Sequence, residues 1–467
     1  MKISFHGANH EVTGSCHLIE CNGKRILIDC GFYQGGREMV EDNAQDFGFD
    51  AASIDFLLLT HAHLDHCGRI PLLVKRGFQG EIITTSASRE LARLIMLDSA
   101  HLQEEEAEYQ TRKAVRARGR NHSDETIQPL YSVLDALNSM DNFGRVADYD
   151  KALDIAPGVR ATFLDAGHIL GSASIFLELE EQEHKRRVLF SGDLGYGDRV
   201  ILRNPATPPH VDVVIMETTY GDRAHKKLQP SIEELYQGIQ DTFRRGGNVI
   251  IPTFALERAQ EILYFLREGI AQNLLSASTQ VFLDSPMAIS ATEIFERHPE
   301  CYDDETAQYF RSGRDIFSLP GLHFTRETSQ SMALNNIKGG AIIMAGSGMC
   351  TGGRVRHHLK QNLWREDCSV IFVGYAAQGT LARRIIDGAK LVRIYRDDIP
   401  VRATIYTIGG FSAHADCNEL MNWHQQTGNP SQTFLVHGDE EAMQNFSKRL
   451  TNTNVTMPKQ NEVFELT

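Results

Sequence analysis

Six residues, His61-Ala62-His63-Leu64-Asp65-His66, gather three imidazoles and a carboxylate directly behind a run of buried-strand character, Ile54-Asp55-Phe56-Leu57-Leu58-Leu59-Thr60. A fold that accepts this segment must end a core strand at a polar loop and then begin a helix, which the sequence predicts from Cys67 to about Arg76. Alternate residues of an extended segment point the same way, so His61 and His63 can face one ion, while Asp65 and His66 can face a second. Packing does not call for such density. Zinc accepts imidazole nitrogen and carboxylate oxygen readily, and a catalytic zinc keeps one position open for water.

Three distant segments can complete the set: Gly167-His168-Ile169-Leu170-Gly171-Ser172, Ser191-Gly192-Asp193-Leu194-Gly195 and Val436-His437-Gly438-Asp439. Each puts a His or Asp at or near the end of a strand-like run, beside small residues that permit close approach. Taken singly, each would read as a cap or a hydrogen-bonded loop residue; beside the dense cluster, they read as ligands. Asp29, ending the strand Arg25–Asp29, is placed to orient a ligand histidine through a hydrogen bond.

The rest of the chain has to hold these segments together. Its 467 residues exceed a single core, which stops growing at roughly 250–300 residues, so two domains are expected, one inserted in the other. The opening runs KISFHG, CHLIEC and RILIDC are strand-like, the last two joined across Asn22-Gly23, a dipeptide suited to a tight hairpin. Between Ser88 and Asp141 the pattern is helical and charged; its most basic piece, Thr111–Arg120, reads as a solvated helix face. From about Arg223 to Gly388, helix and strand patterns alternate, which predicts a parallel α/β sheet. Strand runs return at Leu391–Tyr395, Val401–Thr407 and Thr433–Val436. The expected division is therefore 1–222 as the first part of one domain, 223–388 as an insertion, and 389–467 as its second part.

Composition narrows the class. With 42% hydrophobic and 23% charged residues the chain is a soluble globular protein, not a disordered one. No run approaches the roughly 20 apolar residues of a membrane span, so no membrane partner is expected and the chain reads as cytoplasmic. Its eight cysteines are scattered without a CxxC pair and read as buried reduced thiols. A net charge of −14 argues against a surface coated with nonspecific nucleic-acid-binding charge, although local patches and a metal pair can still hold a phosphate chain.

The metal segments resemble those of the metallo-β-lactamase superfamily. Three further segments, Met216-Glu217-Thr218-Thr219-Tyr220-Gly221-Asp222-Arg223, Gly410-Phe411-Ser412-Ala413-His414-Ala415-Asp416 and Val436-His437-Gly438-Asp439, look like the A, B and C motifs of its β-CASP branch, which processes nucleic acids. The resemblance spans nearly the whole chain, including Ala8–Ser15. It implies an α/β fold: a four-layer αβ/βα metallo-β-lactamase sandwich carrying an inserted parallel α/β β-CASP domain. RNA-acting members carry histidine at the C-motif position, as His437 is here, whereas DNA-acting members tend to carry valine. Relatives in the branch include the cleavage subunit of messenger RNA 3′-end processing and ribonuclease J.

By this resemblance two zinc ions would bind per chain, one at His61, His63 and His168, the other at Asp65, His66 and His437, with Asp193 bridging. The same ligand types also suit manganese. A hydroxide between the ions would attack phosphorus in single-stranded RNA, internally, from the 5′ end, or both, and leave a 5′-phosphate and a 3′-hydroxyl. His414, oriented by Glu217, would protonate the departing oxygen. The segment Ala345-Gly346-Ser347-Gly348-Met349 reads equally, from its residues, as a tight turn or a backbone cradle for phosphate; similar loops in the family grip RNA phosphates, which assigns that role to Ser347, Gly348 and Met349, with Arg354 close behind. Family analogy also suggests a homodimer. A small-molecule hydrolase would use the same metals without needing Glu217, His414 or the insertion, and a noncatalytic scaffold binding RNA or protein would show lost ligands.

Overall fold

The computed structural model describes residues 1–35, 41–118, 127–197, 199–374 and 376–466. Two compact units emerge: residues 1–197, 204–224 and 414–467 form the first, and 198–203 with 225–413 form the second.

The first unit is built on two seven-stranded sheets. One runs, in spatial order, Glu462–Glu465, Lys2–Phe5, His17–Cys21, Lys24–Ile28, Phe56–Leu58, Glu81–Thr85 and Phe143–Ala147. Its Asn22-Gly23 hairpin forms as expected, with both residues at positive φ (50° and 70°), the twist a two-residue turn requires. The other sheet runs Asn454–Thr456, Gln432–Val436, Val213–Glu217, His184–Phe190, Ala173–Glu181, Val159–Asp165 and Ala152–Ala156.

Period-two alternation decides which faces meet. Phe5, Ile19, Ile28, Leu58 and Ile83 of the first sheet form one core with Phe163, Ile175, Phe190, Ile215 and Phe434 of the second. The intervening residues Leu189, Val214, Met216 and Leu435 face the other way and bury against Leu420, Trp423, Met443 and Phe446 of two helices, Cys417–Gln426 and Glu440–Ser447. Helices Ile70–Lys75, Ser86–Arg118 and Val133–Ser139 pack together beside the first sheet. The result is the four-layer αβ/βα sandwich.

The second unit carries a six-stranded sheet in the order Leu322–Phe324, Gln280–Leu283, Ala341–Ala345, Val249–Pro252, Ser369–Val373 and Thr404–Ile408. Every neighbouring pair is parallel, and the crossovers are helical, including Leu228–Arg244, Arg258–Ala271 and Val355–Asn362. The alternation of the sequence announced this architecture.

Three local expectations change. The strand at Thr404–Ile408, assigned to the returning first domain by the boundary at 388, pairs in parallel with Ser369–Val373 and belongs to the second unit, which extends to Ala413. A β-branched run specifies a strand and not its neighbour. The helix expected from Cys67 to Arg76 is two: Leu64–Cys67, which takes in Asp65 and His66, and Ile70–Lys75. The break falls before Pro71, which has no N–H to give the Cys67 carbonyl, and the Arg69 guanidinium at the junction donates to the Gly31 carbonyl. Of the basic run, residues through Arg118 continue the long helix, with Arg112 and Lys113 exposed; Gly119 and Arg120 lie outside the described residues.

Candidate metal centre

Parallel pairing brings the chemistry to one edge of the sandwich. His184–Phe190, Val213–Glu217 and Gln432–Val436 run side by side in the same direction, with Glu217 opposite Val436. Their C-terminal ends therefore deliver Ser191-Gly192-Asp193, Glu217 and His437 to the same place. The loop after Phe56–Leu58 brings His61 and His63, and the loop after Val159–Asp165 brings His168. Gly195 lets these loops meet, since a Cβ there would lie 1.8 Å from the Gly167 carbonyl oxygen.

The seven residues singled out as ligands all converge. His61, His63, His168 and Asp193 present donor atoms within 4.8 Å of one another, as do Asp65, His66 and His437. His63 Nδ1 lies 3.1 Å from both His61 Nε2 and His168 Nε2, while His66 Nε2 faces His437 Nε2 at 3.2 Å. Asp193 spans the two groups. Its Oδ2 lies 3.4 Å from His61 Nε2 and 3.5 Å from His168 Nε2; its Oδ1 lies 3.3 Å from His66 Nε2 and 3.6 Å from His437 Nδ1.

These residues fit a metal pair on chemical grounds. Burial lowers the pKa of His61, His63 (to about 3) and His168, which keeps their rings neutral and their lone pairs available. Burial opposes the charged form of His66 as well, but Asp193 and Asp29 together raise its pKa. Asp193 is held well below the usual carboxylate range: burial resists this, and His437, His66 and His61 overcome it. Its Oδ1 is buried and accepts no hydrogen bond among the described residues, a costly state for an anion unless a cation sits against it. The donor set, imidazole plus carboxylate, suits a divalent transition metal.

Asp29 occupies the expected supporting position. Its Oδ2 lies 2.7 Å from His66 Nδ1, and Oδ1 accepts from the Thr60 backbone N–H at 2.8 Å. Asp29 and His437 both adopt positive φ (61° and 51°); conformations of this kind cost free energy and cluster at functional sites. Thr60, Ser172 and Thr219 were not legible from the sequence. Thr60 Oγ1 donates to Asp29 and lies 3.0 Å from His61 Nδ1; Ser172 Oγ accepts from the His168 backbone; Thr219 Oγ1 lies 3.2 Å from His437 Nδ1. The only local signal was that each hydroxyl lies within four residues of a candidate ligand or motif residue.

Glu217 and His414 meet beside Asp193. Glu217 is fully buried, and its Oε2 lies 3.2 Å from His414 Nδ1 while Oε1 accepts from the Leu194 backbone N–H. Burial would lower the His414 pKa, but the Glu217 carboxylate outweighs it and, with Asp193 and Asp65, raises it to about 9. His414 Nδ1 stands 3.9 Å from Asp193 Oδ2, and its ring packs on His168 at 4.5 Å.

In the second unit, Ser347, Gly348 and Met349 follow the strand Ala341–Ala345. Ser347 accepts Cys350 N–H at its carbonyl, and a Cβ on Gly348 would meet the Phe254 ring at 2.8 Å. Met349 turns toward the apolar core, its Sδ accepting from Ala377 N–H at 3.3 Å, so only its backbone is open to a phosphate role. Arg354 departs from the reading that aimed it at phosphate. Its guanidinium donates to Asp284 at 2.8 Å and to the carbonyls of Thr325 and Arg326, a commitment to the fold.

Comparison with known proteins adds to this geometry. The model of the metallo-β-lactamase superfamily matches residues 11–237, that of the β-CASP domain residues 259–385, and that of a zinc-dependent metallo-hydrolase RNA specificity domain residues 398–458. The chain is 37% identical to a ribonuclease of Thermus thermophilus, over 96% of each chain. It is 32% identical to the transcription termination factor FttA of Methanothermobacter thermautotrophicus, over 94% of this chain and 67% of that one. An RNase J-like protein of Methanocaldococcus jannaschii is 29% identical over 97% of this chain and 96% of its own. A solved protein of unknown function from Enterococcus faecalis superposes with a TM-score of 0.51 over 99% of both chains at 11% identity, a likeness of fold alone.

Proposed function

The chain belongs to the β-CASP branch of the metallo-β-lactamase superfamily, and from that footing we propose that it is a zinc-dependent ribonuclease that hydrolyses phosphodiester bonds of single-stranded RNA. The cut would be internal, 5′-to-3′ exonucleolytic, or both, and would leave a 5′-phosphate and a 3′-hydroxyl. Support comes from the ribonuclease and RNase J-like names of two full-length relatives and from the RNA specificity match at residues 398–458.

His61, His63 and His168 would hold one ion and Asp65, His66 and His437 the other, with Asp193 shared. When bound, such a pair supplies a water acidified to about neutral pKa and positive charge for the phosphoryl oxygens. Asp29 holds the His66 ring through Nδ1, which leaves Nε2 toward the site. Glu217 holds His414 through Nδ1 and favours its protonated form. His414 can then donate that proton to the departing 3′-oxygen as a general acid. Backbone N–H groups of Ser347 and Gly348 are suited to holding a phosphate.

The single observation that carries the reading is the Glu217–His414 pair, 3.2 Å apart, beside a carboxylate shared by two imidazole clusters. Thioester hydrolysis, which expels a stable thiolate, needs no such proton donor. The test is to count zinc and manganese per purified chain and to assay labelled RNA, DNA and a lactam, alongside Asp65→Ala. We expect two zinc ions and RNA cleavage, and in the variant loss of cleavage together with the ion that Asp65 helps to hold; a fully metal-loaded protein that spares RNA and opens the lactam rejects the proposal.

A further inference from the structure

The net charge of −14 hides a local reversal: residues 354–402 hold ten lysines and arginines against five carboxylates. Several of these cations lie around a hairpin of the second unit, Leu391–Ile394 with Asp397–Pro400. Val392, Ile394 and Ile399 bury in one core with Val355, Leu359 and Ala382, so strand alternation turns Arg393 and Tyr395 to solvent. At the tip Tyr395 and Arg396 both adopt positive φ (54° and 87°), in a two-residue turn whose central positions favour asparagine or glycine. Neither residue eases the turn, and strain of this kind concentrates at functional surfaces.

The helix Val355–Asn362 supplies the rest of the surface. The His357 ring stacks on Tyr395 at 4.6 Å and 28°, the Arg356 guanidinium lies 4.4 Å from the Tyr395 ring centre, and Tyr395 still remains 41% exposed. Lys360 is taken up by Asp397 at 2.5 Å. The side chains of Arg384, Lys390, Arg393 and Arg396 are exposed and have no ion-pair or hydrogen-bond partner among the described residues. The same helix opens directly behind the Ser347–Gly348 loop, Val355 N–H donating to the Gly346 carbonyl at 3.0 Å. We infer that this ridge is a second binding site for single-stranded RNA, in which an unstacked base lies against Tyr395 and His357 while Arg393 and Arg396 neutralise the flanking phosphates. A duplex hides its base faces and cannot use the aromatic pair. An acidic protein would use the cations and leave the aromatic pair unexplained.

The inference rests on RNA as the substrate, although none of the seven proposed metal ligands lies in this unit. The test titrates a labelled oligouridylate into the full chain carrying His414→Ala, which is expected to slow cutting, and follows cleavage of RNA and of bis(p-nitrophenyl) phosphate by the chain with native His414. We expect Arg393→Gln/Arg396→Gln to make the slope of log Kd against log salt shallower by about 1.4, since each single-strand phosphate contact contributes about 0.7. Tyr395→Asn, which tolerates the left-handed turn, should weaken binding about 5- to 150-fold, and Tyr395→Phe should keep it. In RNA cleavage the Gln pair and Tyr395→Asn should raise KM and spare kcat, and turnover of the small diester should stay as it was. Unaltered affinity and salt slope overturn the inference, as does an equal loss on the small diester, the mark of a damaged fold. So does a neutralised ridge that keeps RNA and releases polyglutamate, which assigns the surface to an acidic protein. A chain that holds RNA through the ridge and cuts none leaves the ridge standing and rejects the ribonuclease reading.

Discussion

Asp29 Oδ2 lies 2.7 Å from His66 Nδ1, and this one contact decides which nitrogen of the His66 ring looks toward His437. A carboxylate behind a ligand imidazole fixes its tautomer and raises its basicity. Asp29→Ala should therefore lower metal affinity by about 10- to 100-fold, read by competition with a chelator. Unaltered affinity in a folded variant would separate Asp29 from the metal chemistry.

His414 stands outside both imidazole clusters yet within 3.2 Å of buried Glu217. His414→Ala should bind its full complement of metal and lose about 10²- to 10⁴-fold in turnover, the usual worth of general acid catalysis. Metal analysis and single-turnover cleavage on the same preparation make the comparison. If turnover holds, the proton comes from elsewhere.

Asp284 is fully buried and accepts from Arg354, His358, Ser331 and Thr325; burial resists its ionisation, and these donors hold its pKa down at about 2. Removing the carboxylate leaves buried His358, Ser331 and Thr325 without their shared acceptor and takes the ionic partner from half-buried Arg354. Asp284→Ala should cost about 3–5 kcal/mol, visible as a lower midpoint in urea unfolding. A loss within ordinary surface scatter would mean that the donors around Asp284 are not held by it.

Burial lowers the pKa of His424 to about 4, its Nε2 lying 2.9 Å from Thr433 Oγ1. The unfolded chain takes up this proton near the ordinary histidine pKa, about 6.5, whereas the folded chain resists until about pH 4. The stability is therefore whole above the unfolded value and drains as pH falls through that window. The ceiling is about 3 kcal/mol at 1.36 kcal/mol per pKa unit. His424→Gln should lose less stability than the unaltered chain between neutral pH and pH 4.5. Parallel unfolding curves at each pH give the difference, and identical slopes for the two proteins would contradict it.

The metal segments were legible because their information is local. Three imidazoles within six residues at a strand end leave few structural alternatives, and the strand periodicity around His168, Asp193 and His437 placed each at a loop. The supporting contacts were illegible for the opposite reason. Thr60 reaches Asp29 from 31 residues away, and Arg354 reaches Asp284 across 70. A hydroxyl or guanidinium carries no mark of the partner it will meet, so an arginine beside a small-residue loop reads as a phosphate ligand although Asp284 holds it.

By itself, then, the order of residues determined the metal-binding chemistry, the α/β class and the inserted parallel sheet, because hydrophobic period and ligand density are properties of short stretches. Only the tertiary structure decided that Thr404–Ile408 joins Ser369–Val373, that Thr60 holds Asp29 and that Arg354 turns to Asp284, whereas the contacts of Asp193 with both imidazole groups and of Glu217 with His414 were implied by the family resemblance and by no single stretch of the chain. These are pairings across long loops, selected by which buried surfaces and hydrogen-bonding groups satisfy one another at once, and no window along the chain contains both partners.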